Sequence, residues 1–278
     1  MREVDYERIV QEAIEENRVS PVNMLGIGDA AGEYVYLNSH KDSYIRTVRD
    51  IDNLYKSEKS SRNILEIGSF LGVVSISLKR MGYKVSSMDI PEFYSQLGPL
   101  YEKNEIPFHG LNLRHSKLPY ESNSLDVVII CEVIEHLNFN PLPVLKEINR
   151  VLKNDGYIYI GMPNQSNIVN RIKLLLGKSI HNPIDDFFRQ LDRNENMIVG
   201  LHWREYTLAE AVQMIEKMGF ETITKYYCME KDRLRSNILK TLLKKIVFSY
   251  PPFRPNQVVI GKKVMCADCD FWLTDANS

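Results

Sequence analysis

Residues Ile64-Leu65-Glu66-Ile67-Gly68-Ser69-Phe70-Leu71-Gly72 carry an apolar run into a glycine turn, and Asp89 follows Gly68 by 21 positions at the end of a second apolar run, Val85 to Asp89. A strand that enters a glycine turn and then a helix lets the backbone approach a ligand closely. An acid about 20 residues later, at the tip of the next strand, can accept hydrogen bonds from ribose hydroxyls. The pairing therefore indicates a nucleotide-like cofactor. Dinucleotide sites use Gly-x-Gly-x-x-Gly, with amides aimed at a pyrophosphate, whereas this chain has Glu66-x-Gly68-x-x-x-Gly72. An acid before the turn repels a pyrophosphate and suits a cationic ligand.

The elements that must position these residues follow from the apolar patterning. Strands are predicted at 63–67, 84–88, 106–110, 126–131 and 156–161, with helices at 71–81, 92–103 and 140–153 between them. Alternation on this scale implies right-handed crossovers and a parallel sheet covered on both faces. A helix at 207–219 and strands at 221–228 and 257–264 complete a doubly wound, mostly parallel, seven-stranded α/β sheet of Rossmann-like type. Pro251, Pro252 and Pro255 break the chain just before the last strand. Charged helices at 3–17 and 41–57 precede the first strand. They flank a loop with Gly26, Gly28, Gly32, Tyr34 and Tyr36, and they are placed over the cofactor mouth. The stretch 163–203 fits no core element. It holds an apolar helix at Ile168–Leu176 and the mixed polar and aromatic run Asp185-Asp186-Phe187-Phe188-Arg189, and it follows strand five at the carboxyl edge, where ligands bind in such folds. It is read as a cap over the substrate. The expected division is an N-terminal helical cover (1–60), a cofactor-binding domain (61–265) and a flexible tail (266–278).

Glu66-Ile67-Gly68-Ser69-Phe70-Leu71-Gly72 resembles the first motif, acid-x-Gly-x-Gly-x-Gly, of the class I S-adenosylmethionine (SAM) methyltransferases, with Phe70 in place of the middle glycine. Three more matches follow in the family's order. Asp89 stands at the ribose position, and Leu118-Pro119-Tyr120 precedes Ser124-Leu125-Asp126-Val127-Val128. Glu132-Val133-Ile134-Glu135-His136-Leu137 then resembles the segment after strand four. The resemblance covers roughly 60–165, with a looser echo at 202–220, and is nearest the quinone and glycan-biosynthesis O-methyltransferases. It implies SAM as cofactor. Glu66 and Gly68 would line the methionine side, Gly72 would let the helix pack close, Asp89 would hold the ribose and Ile90 would flank the adenine. Asn112, with Leu113, takes the place where the family often has an acid for the adenine amino group, and an asparagine can still accept that bond. Ser69 and Glu132 are lesser cofactor candidates.

Methyl transfer from a sulfonium is a direct displacement, so the protein mainly aligns the reactants and excludes water, while a hydroxyl acceptor must also lose its proton. His136 is the leading base, since an imidazole titrates near neutral pH. His202 is the second choice, in His202-Trp203-Arg204-Glu205-Tyr206-Thr207, which resembles the segment entering the post-cap helix in glycan-associated methyltransferases. Thr207 and Glu210 have the spacing of a capping box. Arg204, Tyr206 and Tyr36 are the substrate-binding candidates, Arg204 as a clamp on a phosphate or carboxylate. The reading is metal-independent transfer to a hydroxyl of a sugar or glycan precursor. The alternatives are another small-molecule acceptor, quinone-like or amine, a nicotinamide oxidoreductase, and a cofactor-binding protein without catalysis. Tyr227-x-x-x-Lys231 has a dehydrogenase spacing but lies in a predicted strand and its exit, where a helical alignment fails.

Composition sets the remaining bounds. A chain of 278 residues with 44% hydrophobic and 26% charged residues is ordinary for a globular α/β protein with one enlarged core. No apolar run reaches the length of a membrane span and the N-terminus lacks a signal-like core, so a cytoplasmic location is expected. Cys131, Cys228, Cys266 and Cys269 are too scattered for a disulfide framework, and Cys266-x-x-Cys269 lacks the further ligands of a zinc site. The net charge of -1 hides an asymmetry, because Lys231 to Lys263 holds nine basic residues against Asp232 alone. With Leu234, Ile238, Leu239, Leu242, Leu243, Ile246 and Val247 at helical spacing, 231–248 is predicted as a basic amphipathic helix. Its possible roles are packing on the domain, contact with an anionic membrane surface through 234–248, or contact with a phosphate-bearing substrate. No nucleic-acid motif accompanies it.

Overall fold

The computed structural model describes residues 4–19, 30–55, 59–115, 117–191, 200–230 and 238–267. Seven strands form one sheet: β1 (Asn63–Ile67), β2 (Lys84–Asp89), β3 (Phe108–Gly110), β4 (Leu125–Cys131), β5 (Leu152–Pro163), β6 (Phe220–Cys228) and β7 (Asn256–Lys263), in the order β3-β2-β1-β4-β5-β7-β6. The chain starts the sheet at its middle, and β1 lies parallel between β2 and β4. The order reverses beside β1, so the carboxyl ends of β1 and β4 open a crevice there.

Alternation along the strands divides the core in two. Ile64, Val127, Ile129 and Tyr159 point to one face, with Val10 and Ile14 of α1 (Tyr6–Val19), Val48 and Ile51 of α3 (Lys41–Leu54), Ile76 of α4 (Val73–Arg80) and Leu97 of α5 (Tyr94–Lys103). Leu65, Ile67, Val128, Ile130, Ile158 and Ile160 point to the other, against Val144, Leu145, Ile148 and Val151 of α6 (Leu142–Val151) and Ala211 and Ile215 of α9 (Leu208–Lys217). Because side chains alternate at period two, each central strand feeds both layers, and its apolar run is continuous.

One expectation is corrected, and three elements take positions that the sequence reading left open. The segment with Tyr34 and Tyr36 is a helix, α2 (Ala30–Ser39), rather than a loop. The Tyr34 hydroxyl donates to Glu15 of α1 at 2.5 Å and Leu37 is fully buried, so tertiary docking holds a helix whose own sequence has little amphipathy; Gly26 and Gly28 lie outside the described residues. The run Asp185–Arg189 lies within α8 (Ile184–Leu191), after α7 (Ile168–Leu175). The antiparallel strand β7 is internal, pairing β5 on one side and β6 on the other, so β6 is the edge. Helix α10 (Ile238–Ser249) buries little: Leu242, Leu243 and Ile246 are exposed, and the predicted part at 231–237 lies outside the described residues. Cys269 and the tail from 268 lie outside them as well; Cys266 is exposed.

Helix α9 starts as its sequence dictates. The Thr207 hydroxyl accepts from the Glu210 amide while the Glu210 carboxylate accepts from the Thr207 amide, a complete capping box. Asn164, fully buried after β5, donates to the carbonyls of Pro252 and Arg254 and fastens the cap's base to the proline turn before β7.

Candidate active site

The carboxyl ends of β1, β2 and β4 open into a cleft of about 1460 Å³, lined by α2 and α3 on one side and by α7 with His202, Trp203 and Glu205 on the other. All nine cofactor candidates line it: Glu66, Gly68, Ser69, Gly72, Asp89, Ile90, Asn112, Leu113 and Glu132. His136, His202 and Tyr36 line it too. Arg204 and Tyr206 do not. A volume above the 300–1,000 Å³ of ordinary ligand pockets leaves room for a cofactor and an acceptor together.

The turn after β1 has its shape for steric reasons. Gly68 has φ +72°, and a Cβ there would stand 2.1 Å from Val133 Cγ2, while a Cβ on Gly72 (φ +71°) would meet the Tyr101 hydroxyl at 3.0 Å. Both positions require glycine. The Tyr101 hydroxyl lies 2.7 Å from Ser69 Oγ and 2.9 Å from the Phe70 carbonyl, and its ring stacks on Phe108 at 4.3 Å. Ser69 is thereby turned into the protein, and its contribution to the cleft is mainly its backbone. Phe70 tolerates φ +43°, and its ring meets Tyr36 edge to face at 5.8 Å, forming an aromatic wall where the motif it resembles has a glycine.

Asp89 clasps this turn. Its Oδ2 accepts from the Phe70 amide at 2.8 Å and its Oδ1 from the Ile90 amide at 2.8 Å. Burial nevertheless raises its pKa to about 6. Glu66, also buried, rises to about 8; burial is the main cause, Asp89 adds repulsion, and the Ser75 hydroxyl bonded to its carboxylate opposes the rise. Two adjacent acids with raised pKa values gain from a ligand that brings hydroxyl donors and positive charge. Asn112 is partly engaged, since its side-chain oxygen accepts from the Arg114 amide at 3.0 Å.

A second polar cluster lines the same cleft, on the turn after β4 and the chain entering α9. His136 Nδ1 donates to the Leu201 carbonyl at 3.0 Å, which leaves Nε2 with its lone pair. Its ring meets that of His202 edge to face at 4.8 Å, and His202 Nδ1 lies 2.9 Å from Glu205 Oε1. Burial, with His202 beside it, lowers the His136 pKa to about 4, so the ring is neutral at physiological pH. Glu135 is fully buried and neither of its oxygens makes a hydrogen bond. Burial and the neighbouring Glu132 hold its carboxyl well above the usual range. Glu132, at φ +53°, is exposed in the open cleft, and the protein around it raises its pKa as well.

The other substrate candidates are placed elsewhere for local reasons. Arg204 donates to Glu210 at 2.9 Å and covers the Tyr206 ring, so it extends the α9 cap outward. Tyr206 is buried, with its carbonyl accepting from Gln257 at 2.7 Å. Tyr227, of the dehydrogenase-like spacing, sits on β6 opposite Gln257 and outside the cleft; Lys231 lies outside the described residues. Sequence reasoning missed His40 and Tyr44, which line the cleft from the end of the N-terminal cover, and Asn170, Trp203 and Glu205 on the cap side. Glu135 and Glu205 sit within the two motifs already singled out, beside the histidines chosen from them. Nothing in the sequence signals that Tyr44 and His40 face the same space.

The profile of a family described as "Methyltransferase domain" matches residues 65–160, about a third of the chain. Among curated relatives, a ubiquinone biosynthesis O-methyltransferase of Nitrosococcus oceani is 24% identical over 141 residues, 50% of this chain and 57% of that one. The chain spans between about a third and just over half of the length of the curated relatives it matches. Among solved structures, the methyltransferase in a Haloferax volcanii complex with the Trm112 methyltransferase activator superposes with TM-score 0.55 at 13% identity, covering 95% of this chain and 100% of that one. A SAM-dependent methyltransferase of Archaeoglobus fulgidus gives 0.54 at 17%, covering 83% and 100%. At such identities the structures establish the fold. Residues 65–160 thus match a methyltransferase domain, the fold is that of SAM-dependent methyltransferases, and the cofactor such a domain implies is SAM.

Proposed function

We propose that the protein transfers the sulfonium methyl of SAM to a hydroxyl of a sugar or glycan precursor. The observation that carries this reading is the division of a single cleft into two ends. Glu66, the Gly68–Gly72 turn and Asp89 stand at one end, and His136, whose Nε2 is left free by the Nδ1 bond to Leu201, stands with His202 at the other. The turn fits the cofactor, because the absence of a Cβ at Gly68 keeps open the floor on which its amino-acid part would lie. When bound, SAM supplies an electrophilic methyl group.

The chain's own residues do the rest. Asp89 is placed to accept from the ribose hydroxyls, and Glu66 offsets the positive charge of the cofactor. Phe70 and Tyr36 close the aromatic side against water. As the new O–CH3 bond forms, the S–CH3 bond breaks and its electron pair stays on sulfur. The hydroxyl proton passes to His136 Nε2. Trp203 with the side-chain amides of Asn167, Asn170 and Gln190 lines the acceptor side, and an aromatic surface interleaved with amides suits a polyhydroxylated acceptor.

Helix α10 supports a second part of the reading, contact with an anionic membrane surface. Leu242, Leu243 and Ile246 are exposed beside Lys245, a combination that favours an interface of apolar tails and negative headgroups. No helix among the described residues is long and apolar enough to cross a membrane.

Calorimetric titration with S-adenosylhomocysteine, beside NAD, tests the cofactor assignment. Saturable binding of the former alone is expected; no binding, or binding of NAD instead, overturns it. His136→Ala should then lower turnover on a glycan acceptor at least ~100-fold, the usual weight of a general base, with cofactor affinity within about threefold. Unchanged turnover removes His136 from the reaction.

A further inference from the structure

We propose that Glu135, His136 and His202 form a divalent-cation site at the acceptor end of the cleft, contrary to the metal-free site expected from the sequence. One potential ligand atom from each of the three lies within 4.8 Å of the others. In a filled site with bonds of 2.0–2.2 Å, ligand atoms stand about 3 to 4 Å apart. Closure around an ion therefore needs side-chain shifts on the order of 1 Å and no backbone rearrangement.

Three observations point to a cation rather than to an ordinary polar cluster. The first is Glu135. A carboxyl group with no exposure and no hydrogen bond to either oxygen is costly to bury unless a positive partner sits against it. Among the described residues, the cationic-capable group paired with it is His136, whose Nε2 stands 3.8 Å from Oε1, beyond hydrogen-bond distance.

The second is the orientation of the imidazoles. Each Nδ1 is fixed by an acceptor, the Leu201 carbonyl for His136 and the Glu205 carboxylate for His202. This is how metal-ligating histidines are held, with the other ring nitrogen left bare for the ion. The third is the assembly of two distant segments. The Glu135 carbonyl accepts from the Trp203 amide at 2.8 Å and from the Arg204 amide at 3.3 Å. The turn after β4 is thereby tied to the chain that carries His202.

Two imidazoles and a carboxylate favour ions of the Mn2+, Fe2+ and Zn2+ class over Mg2+, which prefers an all-oxygen shell. The ion's role deepens the methyl-transfer reading, rests on it and changes one assignment in it: a cation here lowers the pKa of an acceptor hydroxyl beside it, and with the ion on His136 Nε2 the proton passes to the Glu132 carboxylate instead, while His136→Ala still lowers turnover because the ion is lost. Cation binding itself does not depend on that reading.

The test is titration of the tag-free, chelator-stripped full chain with Mn2+ alone, following free Mn2+ by electron paramagnetic resonance. One saturable Mn2+ per chain is expected, displaced by Zn2+ and weakened at least ~10-fold by Glu135→Gln and by His202→Gln. Circular dichroism reports whether each variant is folded. If the buried Glu135→Gln does not fold, His202→Gln, at a half-buried position, decides. No saturable binding of Mn2+ or Zn2+, or undiminished binding in the folded variants, overturns the proposal. S-adenosylhomocysteine binding on the same preparation reports separately on the cofactor reading, so either can fail without the other.

Discussion

The Asp89 carboxylate accepts a hydrogen bond from the Phe70 amide at 2.8 Å, so the acid at the tip of β2 locks the glycine turn that ends β1. Asp89 shapes the turn, and in the proposed function it also meets the ribose. Asp89→Asn keeps one acceptor and loses the charge-assisted bond to an amide. We expect S-adenosylhomocysteine affinity to fall ~10- to 100-fold by calorimetry, with stability lower by about 1–2 kcal/mol in urea denaturation. Full affinity in the variant would exclude Asp89 from the cofactor site.

Gly68 and Val133 form a steric pair. Gly68→Ala should destabilise by about 1–3 kcal/mol through its left-handed backbone, and further through the collision of the new methyl with Val133 Cγ2. Adding Val133→Ala removes the atom struck. In a double-mutant cycle the pair should therefore lose less than the sum of the single variants. Strict additivity would show that the collision is relieved by other means.

Glu66 makes the ligand-free protein less stable as pH rises. Its folded pKa of about 8 lies above the unfolded value of 4.5, so between these the folded state holds more protons than the unfolded one. Stabilisation by the protonated group is complete below about pH 4.5 and is lost as pH climbs through 8. Asp89 acts in the same direction over a lower window, from 3.8 to about 6. Denaturation measured at pH 5 and pH 8 should show the loss, and Glu66→Gln, which retains an acceptor for Ser75, should flatten it above pH 6. An unchanged slope would contradict the raised pKa.

Thr207 and Arg204 belong to the start of α9 rather than to the acceptor. Thr207→Ala should reduce stability by about 1 kcal/mol and leave S-adenosylhomocysteine affinity unchanged. Arg204→Ala should alter turnover less than about twofold, since its guanidinium is exposed and bonded to Glu210. A large fall in turnover would restore Arg204 as a substrate clamp.

The exposed face of α10 should bind vesicles of mixed phosphatidylglycerol and phosphatidylcholine. Co-sedimentation is expected to drop in Leu242→Ser/Leu243→Ser and at high salt. Equal sedimentation with neutral vesicles alone would remove the anionic surface as partner.

The sequence alone determined the sheet, the glycine turn after β1 and the place of Asp89 beside it. Those features are local: a continuous apolar run makes a buried strand, glycines at 68 and 72 mark positions where a Cβ cannot fit, and an acid ending the next strand is brought beside the turn by the parallel crossover. Thr207 and Glu210 were legible for the same reason, because a cap is completed within four residues. Only the tertiary structure decided the acceptor end. His136 and His202 stand 66 positions apart, and their rings meet because the Glu135 carbonyl receives two amides from the chain leaving the cap. The same juxtaposition leaves Glu135 buried without a donor, which no spacing along the chain announces. Arg204 was misplaced for the converse reason. A charged side chain beside a motif can turn either way, and here the nearby Glu210 took it outward.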